Sequence, residues 1–244
     1  MKERIVSITV IIAVVGGLFF LFAYNAIQAG KIDMTTWNDN MVMGDASTAK
    51  HHFVMYTDIF CPYCDKFSDA LMFHKDEFKR DYIEGKEILF EVRITDMNYE
   101  AGHSKNSRPA GEGAYCAAKQ NKFWDYYYGL LDKLYTDYHS KGIGIDKTAQ
   151  PIPELEMDYF YNVAEKAGLD KDTFVSCMEN HETADELDNN TMRASRTIGT
   201  GVPYFQFDKF TTAGFLGYFD PEDRDWEQAK LLLDAGLAGK NPQQ

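Results

Sequence analysis

The sequence predicts an α/β domain with an inserted block of helices, preceded by one helix that spans a membrane. Three patterns lead to this prediction: an apolar run at the N-terminus, a strand–helix–strand pattern that begins near residue 50, and a mostly helical stretch at about 107–198. Two more strands and a final helix follow. We therefore expect an anchor or signal at 1–30, a linker at 31–49 and one folded domain at 50–238.

The composition excludes several classes of protein. The chain has 244 residues, of which 45% are hydrophobic, so it is too apolar to be disordered. Its net charge of −13 argues against binding nucleic acid, which requires basic patches. The four cysteines are too few for a disulfide scaffold or for paired zinc knuckles.

The N-terminal apolar run, Ile5–Tyr24, contains no charged residue. Twenty residues in a helix reach about 30 Å, the thickness of the hydrocarbon core of a bilayer. Because Lys2 and Arg4 precede the run, the positive-inside rule places the rest of the chain on the extracytoplasmic side. A cleaved signal peptide, ending near Ile27-Gln28-Ala29, is the alternative. We expect an uncleaved single-pass anchor in the cell membrane, because the run is longer than a usual signal-peptide core.

The folded domain opens with a strand, a helix and a second strand. Residues 52–57 are apolar β-formers, residues 65–81 carry a helical apolar stripe, and residues 87–96 alternate between apolar and charged side chains. This order predicts a parallel βαβ crossover. The polar segment 31–49 before it is interpreted as a loose linker.

The second half of the domain is mostly helical and ends in a hairpin and a helix. Helical periodicity runs from Pro109 to about Ile198. Strands are predicted at 204–207 and 211–218, and Asp220–Asp223 has the residues of an N-cap followed by proline, which opens a last helix.

Two cysteines, Cys61 and Cys64, form a C-x-x-C between the first strand and its helix. The unpaired N–H groups and positive dipole at a helix N-terminus stabilise a thiolate, which is a good nucleophile and leaving group. We expect Cys61 to form the mixed disulfide with substrate and Cys64 to resolve it. From the residues alone, a structural disulfide and half of a zinc site remain as alternatives.

Three separate segments resemble the DsbA-like thiol:disulfide oxidoreductases of the thioredoxin superfamily, in their membrane-anchored form. They are similar to that family's active-site segment, first insert helix and cis-proline loop, and here they are Tyr56–Cys64, Cys116–Tyr126 and Thr200–Phe205. The likeness covers essentially all of residues 50–238 in the right order. It implies a thioredoxin fold with an inserted helical domain.

The resemblance assigns roles to residues around the thiols. It implies that Pro203 is cis and lies beside the couple, with Val202 offering backbone groups to a substrate strand. Pro62 and Tyr63, the two residues between the cysteines, would support the couple. A valine before this proline is typical of the oxidising members, whereas isomerases tend to carry threonine.

One position departs from the family pattern. Six residues before the first cysteine the family often has a buried acid, and this chain has Met55 there. The nearest acid is Asp58, which resembles a carboxylate of the anchored members. Two roles are open for Asp58: a loop or cap residue, or a group that tunes the thiols and relays protons.

The resemblance also implies a second, structural disulfide between Cys116 and Cys177, as in anchored relatives. Both cysteines fall on predicted helices of the inserted block, and exported thiols tend to be oxidised. Two buried free cysteines are the alternative.

The expected function is oxidation of reduced exported proteins by the Cys61–Cys64 disulfide, without a cofactor or a metal. The resemblance implies reoxidation by a membrane partner of the DsbB or VKOR type. A reductase or isomerase that uses the same couple is the alternative. A metal carrier that binds through the C-x-x-C and the His51-His52 pair is a third, weaker hypothesis.

Overall fold

The computed structural model describes residues 35–146, 148–199, 201–215 and 224–240. The predicted anchor Ile5–Tyr24 and the predicted helix start at Asp220–Asp223 lie outside these residues. In the part of the chain that is described, no helix has the length and apolar character needed to cross a membrane. The anchor therefore stays a prediction.

In the described part of the chain, the core is a five-stranded sheet flanked by helices. The strands are β1 (Val42–Met43), β2 (His51–Thr57), β3 (Ile88–Ile94), β4 (Tyr204–Phe207) and β5 (Phe210–Ala213). The helices are α1 (Pro62–Phe73), α2 (Lys75–Phe78), α3 (Met97–Glu100), α4 (Ser107–Lys119), α5 (Phe123–Asp137), α6 (Met157–Lys166), α7 (Lys171–Glu179), α8 (Ala184–Ile198) and α9 (Trp226–Leu237). The strand order is β1-β3-β2-β4-β5.

Strands β2 and β3 form the parallel pair that the sequence predicts, joined by α1 and α2. All seven residues of β3 are buried, as expected for a central strand that is covered on both faces. Strand β4 then pairs antiparallel with β2, and Tyr204 lies opposite Tyr56. This register brings the start of β4 to the end of β2 from which the chain runs into the C-x-x-C.

Part of the predicted linker belongs to the sheet. Val42 and Met43 pair with β3 as an antiparallel edge strand, and the backbone N–H of Trp37 donates a 2.7 Å hydrogen bond to the buried carboxylate of Glu91. A two-residue strand is too short to leave a periodic pattern in the sequence, so the residues of this segment indicate only a linker.

Several predicted boundaries differ from the structure. The first helix begins at Pro62 and stops at Phe73, and the chain continues through α2 and a π-helical turn, Lys79–Glu84. Strand β5 ends at Ala213, where Gly214 has a φ of +81°. The last helix begins at Trp226.

The helical insertion, α4 to α8, runs from Ser107 to Ile198 and packs around a shared apolar core. The segment from Cys116 to Tyr126, interpreted as one helix, covers the end of α4 and the start of α5, because Asn121 adopts a left-handed φ of +57° between them. A disulfide joins Cys116 of α4 to Cys177 of α7, with 6.0 Å between their Cα atoms. The α/β fold with a helical insertion is thus confirmed.

Candidate active site

The C-x-x-C lies at the N-terminus of α1, directly after β2. Cys61 is the N-cap residue and Pro62 the first helical residue, a position that tolerates proline because its N–H would have no helical partner. The carbonyl oxygen of Cys61 accepts hydrogen bonds from the N–H groups of Cys64 (2.8 Å) and Asp65 (3.0 Å). Local helix geometry therefore holds both sulfurs at the same helix end.

The two thiols are free and have unequal surroundings. Cys61 is 6% exposed, whereas Cys64 is fully buried. A hydrogen bond from the Cys64 thiol, followed by the backbone N–H groups of Cys64 and Tyr63, lowers the pKa of Cys61 against the effects of burial and of Asp58. Burial raises the pKa of Cys64 well above its usual value, and the neighbouring Cys61 adds to this. Of the two thiols, Cys61 is therefore the one that ionises more readily.

The peptide bond between Val202 and Pro203 is cis, and it lies against the couple. The Cys61 thiol donates to the carbonyl oxygen of Val202 across 3.6 Å. The carbonyl oxygen of Pro203 accepts from Gly214 (2.8 Å), which secures the loop, and Gly201 supplies a φ of +100° that few other residues adopt. The fold thus brings together Cys61 and Val202, which lie 141 positions apart in the sequence.

Asp58, at the turn between β2 and the couple, is completely buried. Its carboxylate accepts hydrogen bonds from the N–H groups of Phe60 (2.9 Å) and Asn98 (2.8 Å). Desolvation outweighs these bonds and raises the pKa of Asp58 to about 6. Its charge also acts on both thiols, where it raises the pKa of each. Asp58 is therefore both a structural turn residue and a titratable group next to the couple.

Met55, at the position where the family often has an acid, is fully buried in β2 and packs in the apolar core. It offers no proton to Cys64. Of the two positions, 55 and 58, only the second therefore places a carboxyl group beside the thiols.

An open cavity of about 720 Å³ adjoins Cys61. It is lined by the active-site turn, by Gly201 and Val202 of the cis-proline loop, and by residues of the segments 97–104, 144–146 and 149–152. The lining is mainly apolar, and it includes Pro62, Tyr63 and Val202, all predicted as supporting residues. The cavity is wide enough for a side chain or backbone segment of a polypeptide that approaches Cys61.

Three titratable residues near the couple were not predicted: Asp65, Asp69 and His139. Asp65 and Asp69 lie on α1, one turn apart, and both are buried, although two acids at this spacing usually mark a solvent-facing side of a helix. His139 begins the 3-10 turn after α5 and is buried between them. No local pattern links residues so far apart in the chain.

His51 and His52 lie at the far end of β2 from the couple. Six strand steps of about 3.3 Å separate the first of them from the last residue of β2, so about 20 Å of sheet lies between these histidines and the C-x-x-C. They contact Asp208 (2.9 Å) and Glu91 (3.1 Å) respectively. Among the described residues, no group of three or more His, Cys, Asp or Glu side chains is arranged to hold a metal ion. The hypothesis of a joint metal site is wrong for these residues, because the sheet keeps the histidines away from the thiols.

Comparison with known proteins gives one family and one fold. A family model described as thioredoxin matches residues 36–209. No curated protein matches the chain. Among solved structures, BdbD from Bacillus subtilis is similar with a TM-score of 0.56 and 16% identity, over 82% of this chain and 93% of that one.

Two further solved structures show the same fold. The MdbA protein, a thiol-disulfide oxidoreductase from Corynebacterium diphtheriae, has a TM-score of 0.52 and 20% identity, over 80% of this chain and 92% of that one. DsbA from Chlamydia trachomatis has a TM-score of 0.51 and 13% identity, over 79% and 87%.

Proposed function

Because this chain belongs to the thioredoxin family, with the fold of DsbA-type thiol-disulfide oxidoreductases, we propose that it introduces disulfide bonds into exported proteins through Cys61 and Cys64. The observation that carries this proposal is the inequality of the two thiols. Cys61 has a lowered pKa at a helix end beside a cis-proline, and Cys64 is buried with a raised pKa.

The reaction follows from this inequality. A substrate thiolate attacks the Cys61 sulfur of the oxidised couple, the Cys61–Cys64 bond breaks, and Cys64 takes a proton because burial disfavours its thiolate. A second substrate thiolate then attacks the substrate sulfur of the mixed disulfide. Cys61 leaves as a thiolate, the substrate gains a disulfide, and the protein has accepted two electrons.

The direction of electron flow follows from the stability of the Cys61 thiolate. Every interaction that lowers the pKa of Cys61 favours the reduced protein over the oxidised one, and a stabilised reduced form makes the disulfide a strong oxidant. The backbone N–H groups at the start of α1 provide such an interaction. This is the physical argument for an oxidase over a reductase.

The substrate approaches through the cavity beside Cys61. Val202 offers its backbone next to the reactive sulfur, so an extended segment of an unfolded chain is the occupant that fits best. The predicted anchor would hold the domain on the extracytoplasmic side of the cell membrane. There a membrane protein of the DsbB or VKOR type would reoxidise the couple. The Cys116–Cys177 disulfide supports an oxidising compartment.

The test combines a redox titration with two activity assays. Equilibration with glutathione should give a potential well above that of thioredoxin, about −270 mV, and towards that of DsbA, about −120 mV. The protein should oxidise a reduced, unfolded substrate and reduce insulin poorly, and the Cys61→Ser variant should do neither. A potential near −270 mV with efficient insulin reduction would replace the oxidase by the reductase.

A further inference from the structure

A histidine of the helical insertion lies between two carboxylates of the active-site helix. The Nε2 atom of His139 is 3.5 Å from Oδ2 of Asp65, and its Nδ1 atom is 3.6 Å from Oδ2 of Asp69. The side chains of His139, Asp65 and Asp69 are 0%, 2% and 3% exposed, in that order. We call these three residues the buried cluster.

The contacts within the buried cluster are electrostatic. Nitrogen–oxygen distances of 3.5–3.6 Å are too long for good hydrogen bonds, but charges that are removed from water interact strongly at such distances. Burial raises the pKa of both carboxyl groups, and at Asp69 the contact with His139 opposes this effect. The buried cluster thus places one imidazole ring between two carboxyl groups that hold a proton more tightly than usual.

Asp65 connects the buried cluster to the redox couple. It follows Cys64 in the chain, its N–H donates a hydrogen bond to the Cys61 carbonyl oxygen, and it is among the residues that line the same cavity as Cys61. After desolvation and the charge of Asp69, the charge of Cys61 is the next cause that raises the pKa of Asp65. The proton affinity of Asp65 must therefore depend on whether Cys61 is a thiolate or part of a disulfide.

Other charged or titratable groups surround the buried cluster. They come from the turn before α1, from α1 itself, from α5 and from the segment before α9: Asp58, Cys61, Cys64, Tyr127, Asp132 and Arg224. Asp58 raises the proton affinity of Asp65, while Arg224 lowers and Asp132 raises that of Asp69. Of these groups, Cys61 changes its charge most directly when electrons arrive.

We propose that Asp65 takes up a proton when the Cys61–Cys64 disulfide is reduced, and that His139 is the positioning residue that holds the carboxyl groups of Asp65 and Asp69 in place for this uptake. The proposal rests on the redox couple of the proposed function, but not on the direction of electron flow. Oxidation of one substrate dithiol yields two electrons and two protons. The electrons break the disulfide, Cys64 takes one proton, Cys61 stays a thiolate, and Asp65 takes the second proton. Reoxidation releases both.

The direct test is carboxyl ¹³C NMR of aspartate-labelled protein in its oxidised and reduced forms. The Asp65 resonance is assigned through bonds from its own backbone amide, so no variant is needed. We expect the midpoint of its titration to lie at least about one pH unit higher in the reduced form, which is a tenfold gain in proton affinity. Midpoints that agree within about 0.3 pH unit, or no titration of Asp65 in either form, would overturn the proposal.

The role of His139 is tested with His139→Gln. Loss of the imidazole removes the ring that lies between the two carboxyl groups, so the midpoint of the Asp65 titration should move by at least about half a pH unit in both forms. A matched control is His181→Gln, which removes an exposed histidine that contacts Glu112 at 2.8 Å in the insertion. The control should leave the Asp65 midpoint in place. If both variants leave it in place, His139 has no positioning role.

If His139→Gln does not fold, Asp69→Asn tests the same arrangement, because it removes the charge that raises the proton affinity of Asp65. The midpoint of Asp65 should then fall, and an unchanged midpoint would contradict the proposal. A thioredoxin-like potential would refute the oxidase and leave the redox-dependent titration intact. An oxidising potential with equal Asp65 midpoints would support the oxidase and refute the redox-dependent titration, so the two failures can be told apart.

Discussion

The ionisation of Asp58 should make the stability of this protein depend on pH in an unusual direction. Most carboxylates in folded proteins have lowered pKa values, so their contribution to the stability of the protein is lost in acid. Asp58 is buried with a pKa of about 6, against 3.8 for an unperturbed aspartate. Between these two pH values the folded protein binds more protons than the unfolded chain, so the contribution of Asp58 to the free energy of unfolding falls as pH rises.

The size of this effect follows from the shift. A difference of about 2.2 pH units at about 1.36 kcal/mol each amounts to about 3 kcal/mol, most of it lost between about pH 4 and pH 7.5. Asp58→Asn removes the titration. Asparagine has one oxygen in place of two for the N–H groups of Phe60 and Asn98, which costs about 1–3 kcal/mol at every pH. The lost hydrogen bond shifts the free energy of unfolding equally at every pH, so any pH-dependent difference between the parent and the variant comes from the carboxyl group.

Urea unfolding from about pH 4 to pH 7.5 measures this difference. The parent and the Asp58→Asn variant both carry Cys61→Ser and Cys64→Ser, so that thiol chemistry does not contribute. The free energy of unfolding of the parent, minus that of the Asp58→Asn variant, should fall by about 2–3 kcal/mol as pH rises across the range. A difference that changes by less than about 1 kcal/mol would refute the assignment of a raised pKa to Asp58.

Three other predictions concern the cysteines and the packing of the last helix. Because its pKa is lowered while that of Cys64 is raised, Cys61 should react with iodoacetamide at about pH 6 at least about tenfold faster than Cys64, as measured by mass spectrometry; equal rates would contradict the assigned roles. Replacement of both Cys116 and Cys177 by alanine removes a link between residues 61 positions apart and should lower the free energy of unfolding by about 4 kcal/mol, while the thiolate absorbance of Cys61 stays unchanged; an unchanged urea midpoint would refute this. Gly236→Ala should cost about 1–3 kcal/mol in urea unfolding, because the added methyl group would overlap the ring of Phe207 in β4; a variant as stable as the parent would mean that this ring moves aside freely.

Local patterns were sufficient for the framework of the site. The alternation in β3, the apolar run of β2 and the C-x-x-C between strand and helix are each written within a few residues. The proline at 203 was found by its resemblance to a family loop, since nothing in Val202-Pro203 alone indicates a cis bond or a partner. These features could be predicted either from a short stretch of sequence or from the resemblance to a known family.

What the sequence left open depends on contacts across the fold. A solvated cap residue would have the same local sequence as Asp58. Its complete burial and its hydrogen bond from the backbone N–H of Asn98, 40 positions away, arise only in the folded protein. The acids at 65 and 69 resemble a solvent-facing pair in the sequence, but in the fold His139, from the 3-10 turn that follows α5, lies against them. Strand β1 pairs over only two residues. No periodicity within one segment carries this information.

The bridge between α4 and α7 has a consequence for how the protein is made. Both cysteines of the bridge are buried in the insertion. The bond must therefore form during folding, because the two thiols are out of reach of an oxidant once the domain has folded. A catalyst of disulfide formation with such a bridge needs, for its own maturation, the reaction that we propose for it. Protein prepared under reducing conditions would lack this bond, so its measured free energy of unfolding would be lower than that of the bridged form.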